Sequence, residues 1–168
     1  MKTEITRAGT PAEYAAIAAL AAEIWHETYD ALLPDGQVDY MLDRFQSEKA
    51  IARQTSTEGY AYFNILCDGA LGGFLALVPH CEKQGELYVS KVYLHKNFRG
   101  QGAMRVAFAF IDEFCRESGC GTMRLTVNKQ NAHAKAVYVH FGYAVARLVV
   151  SDIGGGYVMD DFVMEKVL

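Results

Sequence analysis

No stretch of this 168-residue chain is apolar for the ~18 or more consecutive residues that a membrane-spanning helix needs, so no membrane role is expected. No run of five like charges occurs. With a net charge of −4 and an isoelectric point near 5.7 there is no clustered basic face, which argues against a nucleic-acid partner. The four cysteines, Cys67, Cys81, Cys115 and Cys120, lack CxxC spacing. That pattern speaks against metal and disulfide roles and suggests reduced, mostly buried thiols in a cytoplasmic protein. An apolar leader, internal repeats, low-complexity tracts and linkers are all missing, so residues 1–168 are read as one domain of 18.6 kDa. Neither G-x-G-x-x-G nor Gly-Lys-Ser/Thr is present, which removes both common nucleotide fingerprints.

What is present centres on Glu86 to Ala109. A β-rich run enters Arg99-Gly100-Gln101-Gly102 and then a helix in which Ala103, Ala107, Phe110, Ile111 and Phe114 recur at spacings of three and four. The first N–H groups of a helix have no intrahelical acceptor and carry the positive end of the macrodipole. Glycine lets a phosphate approach such backbone closely, and Arg99 adds a guanidinium beside it.

Elsewhere the pattern is that of an α/β protein. Thr3 to Arg7 reads as a strand. Thr10-Pro11 with Glu13 forms a capping-box start for a helix whose face carries Tyr14, Ile17, Ala21, Trp25 and Tyr29. Pro34-Asp35-Gly36 breaks it, a second helix spans Gln37 to Phe45, and Ser47 caps a third. Asp68-Gly69 joins two apolar strands in a hairpin. Gln84 to Leu94 follows as a strand that places Glu86, Tyr88, Ser90, Val92 and Leu94 on one face if it stays regular. Closing strands run from Tyr143 to Val150 and from Tyr157 to Val167, joined by a bendable loop through Gly154, Gly155 and Gly156. Asp160 and Asp161 interrupt an apolar strand; they form either a negative wall for a cationic amine or a solvated edge. Trp25 and its neighbours Tyr29 and Tyr40 are either core aromatics or the walls of an entrance.

The run from Val127-Asn128 through Asn131, Ala134 and Tyr138 to Gly142-Tyr143, following Arg99-x-x-Gly102 at this separation, resembles the two core motifs of the GNAT superfamily of N-acetyltransferases. One position departs from the usual pattern, where Met104 replaces a small residue. The resemblance implies a mixed, mainly antiparallel sheet of six to seven strands flanked by helices. It also implies transfer of an acetyl group from acetyl-CoA to a primary amine by direct attack. Main-chain groups of Val92, Tyr93 and Leu94 would pair with the pantetheine arm, while Arg99, Gly100, Gln101, Gly102, Ala103 and Met104 would hold the phosphates. Asn131 and Ala134 would complete the cofactor site. Tyr138 would be the general acid, and Glu86, or a water relay in its place, the base. Trp25, Tyr29, Tyr40, Ser90, Asp160 and Asp161 would face an acceptor such as a polyamine, a peptide amine or an aminoglycoside. His133 and His140 fall on the exposed side of their helix, with no ligand role expected, and exposed closing strands suggest a homodimer.

Overall fold

The computed structural model describes residues 1–168. Strand β1 (Thr3–Arg7) leads into helix α1 (Pro11–Tyr29), followed by α2 (Gln37–Phe45) and α3 (Glu48–Thr57). The capping box is formed as expected: the Glu13 N–H donates to Thr10 Oγ1 at 3.2 Å, and the Thr10 N–H donates to Glu13 Oε2 at 3.0 Å. Helix α1 buries Ile17, Ala21, Ile24, Trp25 and Tyr29, and Ser47 caps α3 through the Ala50 N–H. No helix is long and apolar enough to cross a membrane.

The meander β2 (Ala61–Cys67), β3 (Ala70–Pro79) and β4 (Glu86–Leu94) comes next. Its first turn has positive φ at both Asp68 and Gly69, the backbone that a two-residue hairpin of this twist requires. Helix α4 (Ala103–Glu117), β5 (Thr122–Asn128), α5 (Ala132–His140) and the long hairpin β6 (Ala144–Gly154) and β7 (Tyr157–Val167) complete the chain. The seven strands form one sheet in the order β1-β2-β3-β4-β5-β7-β6, antiparallel throughout except between β4 and β5. This is the mixed α/β sheet flanked by helices that the motifs implied. Two cores cover its faces. Leu75, Leu87, Val89, Phe108, Ile111, Met123 and Met164 pack beneath α4 and α5, and Trp25, Tyr29, Met41, Ile51, Tyr62 and Phe74 beneath α1, α2 and α3.

Two features depart from the sequence expectation. The β3–β4 register slips between Ala76 and Leu77, so that Lys91 and Val89 face consecutive β3 residues and Ser90 is the extra residue of a bulge. Alternation therefore inverts at Ser90. Leu87, Val89, Val92 and Leu94 share the α4 core, whereas Tyr93 packs on the α1 side. Second, the turn after β6 is no loose loop: β6 continues to Gly154, and Gly155 and Gly156, both at positive φ, make a tight hairpin.

The placement of the site follows from one pairing. β5 matches β4 only from Glu86↔Thr122 to Tyr88↔Arg124. Beyond Tyr88 the two strands diverge, and β4 keeps a strand partner only on its β3 side.

Candidate active site

At the end of β4 the chain makes a 3-10 turn, Lys96–Phe98, and reaches the glycine turn. Gly100 and Gly102 have φ of 73° and 87°, and Gly102 sits at the N-cap of α4 without any side-chain cap. The left-handed backbone is the reason for glycine here, and the uncapped start leaves N–H groups of α4 free for an anion. Two arginines frame the turn. Arg99 Nε donates to the Leu94 carbonyl at 3.1 Å, and its Nη1 pairs with Glu27 at 3.5 Å. The guanidinium of Arg105 folds over Gly102, with Nη2 3.2 Å from the point that a Cβ would occupy.

From this turn a cavity of about 990 Å³ runs into the β4–β5 notch between α1, α4 and α5. Val89, Ser90, Val92, Tyr93 and Leu94 form one wall, and Thr126 and Val127 the other. Gly100, Gly102, Ala103, Met104 and both arginines surround one end, with Asn131, Ala134 and Tyr138 along α5. Asn131 also caps α5, its Oδ1 accepting from the Ala134 N–H at 3.2 Å.

Three phenols converge on the notch. The hydroxyls of Tyr29 and Tyr93 lie 3.0 Å apart. Burial, with a smaller contribution from Tyr29, holds the Tyr138 phenol far above its ordinary titration range, so that it stays protonated. On the α1 side of the sheet two charged groups lack a counter-ion. Lys91 Nζ contacts only Ser90 Oγ, at 2.8 Å, and burial pushes it down to about 8. Asp161 on β7, only 6% exposed, has a buried Oδ1 that accepts no hydrogen bond.

A splayed parallel strand pair followed by a glycine turn into an uncapped helix is a specific arrangement, and comparison with known proteins places it. The model of the Acetyltransferase (GNAT) family matches residues 21–143. The chain belongs to this family. Membership makes it an acetyl-CoA-dependent N-acetyltransferase. A relative in Lactobacillus delbrueckii subsp. lactis, an N-acetyltransferase of the pepI 3′ region, is 24% identical over 155 residues, spanning 89% of each chain. Among solved structures, the PaiA N-acetyltransferase of Thermoplasma acidophilum in complex with coenzyme A superposes with a TM-score of 0.80 at 20% identity, covering all of both chains. The yncA protein of Salmonella typhimurium, solved with acetyl-CoA, gives 0.66 at 21% identity, over 99% of this chain and 94% of the other.

Within this GNAT fold the residues singled out from the sequence separate into two groups. Val92, Tyr93, Leu94, Arg99, Gly100, Gly102, Ala103, Met104, Asn131, Ala134, Tyr138, Tyr29 and Ser90 line the cavity. Glu86 does not. It precedes the splay, where its carboxylate takes Arg124 Nε at 3.1 Å while the guanidinium stacks on Tyr88 at 4.3 Å. A carboxylate committed to a buried arginine on the paired part of β4 is structural, which corrects the reading of Glu86 as base. Glu86→Gln is therefore expected to cost about 1–3 kcal/mol, seen as a lowered melting temperature, by leaving the Arg124 guanidinium with only the exposed Glu82 as a charged partner. Its kcat should stay within a few-fold of the parent.

Four further expectations are corrected. Trp25 is 2% exposed and packs behind the cavity, its ring centroid 5.6 Å from that of Tyr93. Tyr40 donates to the Ile153 carbonyl at 2.7 Å instead of facing an acceptor. Asp160 is taken by Lys129 at 2.8 Å, and the Gln101 side chain turns back onto the Asn97 carbonyl at 3.2 Å. His133 and His140, read as bystanders, line the cavity on the α5 side. Arg105 and Lys91 were missed. A cation three residues into a helix that starts at a glycine turn was the available signal for Arg105; for Lys91 none existed, because its burial depends on the bulge.

Proposed function

We propose that this N-acetyltransferase acetylates a small primary amine by direct attack within a ternary complex. The observation that carries the proposal is the notch itself: one continuous cavity joins an anion-ready helix start, an unpaired strand edge and a protonated tyrosine. These features fit acetyl-CoA. The N–H groups of α4 with Arg99 and Arg105 suit a pyrophosphate. The free edge of β4 from Val89 onward suits the amides of a pantetheine arm, which would add to the sheet as a strand does. Bound there, acetyl-CoA supplies an activated acyl carbon and a thiolate leaving group. A β4 N–H near Val92 would donate to the carbonyl oxygen as negative charge develops, and Tyr138 would give its proton to the departing sulfur.

The size of the acceptor is suggested by how the α1 side is closed. Tyr40 holds the β6–β7 hairpin at Ile153, Gln37 Nε2 donates to the Val158 carbonyl at 2.8 Å, and the Tyr157 hydroxyl donates to the Asp35 carbonyl. His26 bridges Asp30 and Asp39, each at 2.9 Å, tying α1 to α2. A hairpin fastened across α2 suits a small amine better than the surface lysine of a folded protein.

Thiol release from acetyl-CoA over a panel of spermidine, spermine, lysine and N-terminal peptides and aminoglycosides, against a no-amine control, tests the proposal. Turnover with a small amine is expected. Turnover on peptides alone would reject the small acceptor, and release with no amine would reject transfer. Arg105→Ala is expected to raise the KM for acetyl-CoA about tenfold, in keeping with one lost charge-assisted contact, while leaving acetyl-pantetheine unaffected. Equal losses with both donors would place Arg105 away from the phosphates.

A further inference from the structure

Every carboxylate near the notch has a cationic partner except that of Asp161. Glu86 is held by Arg124, Asp160 by Lys129, and Glu27 by Arg99 and Lys96. Asp112, on the opposite face, is held by Lys166. Asp161 is paired in register with Asn128 on β5 and Val149 on β6, and neither brings a charge. From α1 the phenol of Tyr29, a lining residue of the cavity, lies close enough to feel its charge. No ammonium or guanidinium lies against it. A buried carboxylate without a counter-ion is costly to keep, and the fold offers no structural compensation for this one.

We propose that Asp161 is the proton acceptor for the substrate amine, an inference that rests on the transferase reading above. An alkylamine arrives as an ammonium, because its ordinary pKa is near 10.4. Its charge supplies the counter-ion that Asp161 lacks. One N–H proton passes to the Asp161 carboxylate and leaves a neutral amine. The nitrogen lone pair then forms the C–N bond at the thioester carbonyl while the C–S bond breaks. As the amide forms, Tyr138 gives its proton to the sulfur and the second nitrogen proton passes through water to restore the Tyr138 phenol, while Asp161 returns its proton to solvent, so charge and protons balance over the cycle. The carboxyl suits this work, since burial, with the adjacent Asp160 adding to it, raises it from 3.8 to about 6. Lys91, held near 8, titrates in a separate window.

Wild type, Asp161→Asn and Asp161→Glu are to be compared on whichever amine gives the highest thiol release, with kcat/KM followed from pH 5 to 9. D161N is expected to lose about 100- to 1000-fold at pH 7, within the range of general-base contributions. Its rate should lack the acidic limb near pH 6 and climb roughly tenfold per pH unit above 7, as free amine accumulates, with D161E restoring part of the loss. Coenzyme A affinity by calorimetry should stay within threefold. The fold is controlled in the same samples. D161N should melt above wild type at pH 7.5, and the gap should narrow as pH falls from about 6 toward 4, where the folded wild type takes up a proton that the unfolded chain does not. Wild-type turnover with D161N within threefold and the acidic limb intact would overturn the role of Asp161 alone. No thiol release by wild type on any amine would overturn the transferase reading, and this inference with it.

Discussion

Replacing Tyr138 with phenylalanine is expected to lower kcat by about 10- to 1000-fold with little change in coenzyme A affinity. The substitution removes only a hydroxyl. The ring packs edge-on against Phe108 and Tyr143, with centroids 6.1 and 6.2 Å away, and phenylalanine preserves both contacts. A stability loss is therefore not anticipated, and thermal melting should confirm it. What disappears is a phenol kept protonated by burial at the wall of the cavity, which is the property a proton donor to a leaving thiolate needs. Steady-state kinetics beside calorimetric titration of coenzyme A separate the two effects. Unchanged turnover would remove Tyr138 from the chemistry, and equal losses in rate and coenzyme A affinity would make it a packing residue of the cofactor site.

The second large effect lies on β3, outside the cavity. Gly73 pairs with Leu94 across the β3–β4 ladder, and a Cβ placed there would collide with the Tyr93 carbonyl and crowd the Leu94 Cα. Both neighbours are backbone and cannot swing away. Gly73→Ala is accordingly expected to cost about 3 kcal/mol, a drop in melting temperature of about 6–12 °C for a chain of this size. Because the displaced atoms belong to the strand edge proposed to bind pantetheine, coenzyme A affinity should fall as well. Gly100→Ala is the natural control: its φ of 73° brings strain, but no atom lies within 4 Å of an added Cβ. Its stability cost should be the smaller of the two.

The correspondence between motif and structure differs along the chain for a physical reason. Local chemistry was legible wherever it acts over a few residues. The Thr10–Glu13 box, the Asp68-Gly69 turn, the Ser47 and Asn131 caps and the left-handed glycines before α4 all involve groups within four residues of one another. The glycine turn and the Asn131 to Tyr138 helix, which line the cavity, were legible for the same reason, since each lies within one short segment.

The surroundings of the buried charged groups were not legible, because they are assembled across the sheet. A single extra residue, Ser90, inverts the alternation of β4, turning Val92 and Leu94 into the α4 core and Lys91 and Tyr93 toward α1. Glu86 looked catalytic by its spacing from Arg99, yet β5 brings Arg124 to it from 38 positions away. Asp160 and Asp161 are neighbours of identical chemistry on one strand, and the pleat sends one to Lys129 at the surface and buries the other without a partner. By itself, the sequence determined the element order, the family and the glycine turn into α4, because caps, turns and short motifs depend on adjacent residues. Only the tertiary structure decided which carboxylate is neutralised and which is buried unpaired, because burial and charge pairing are set by strands that meet from distant parts of the chain.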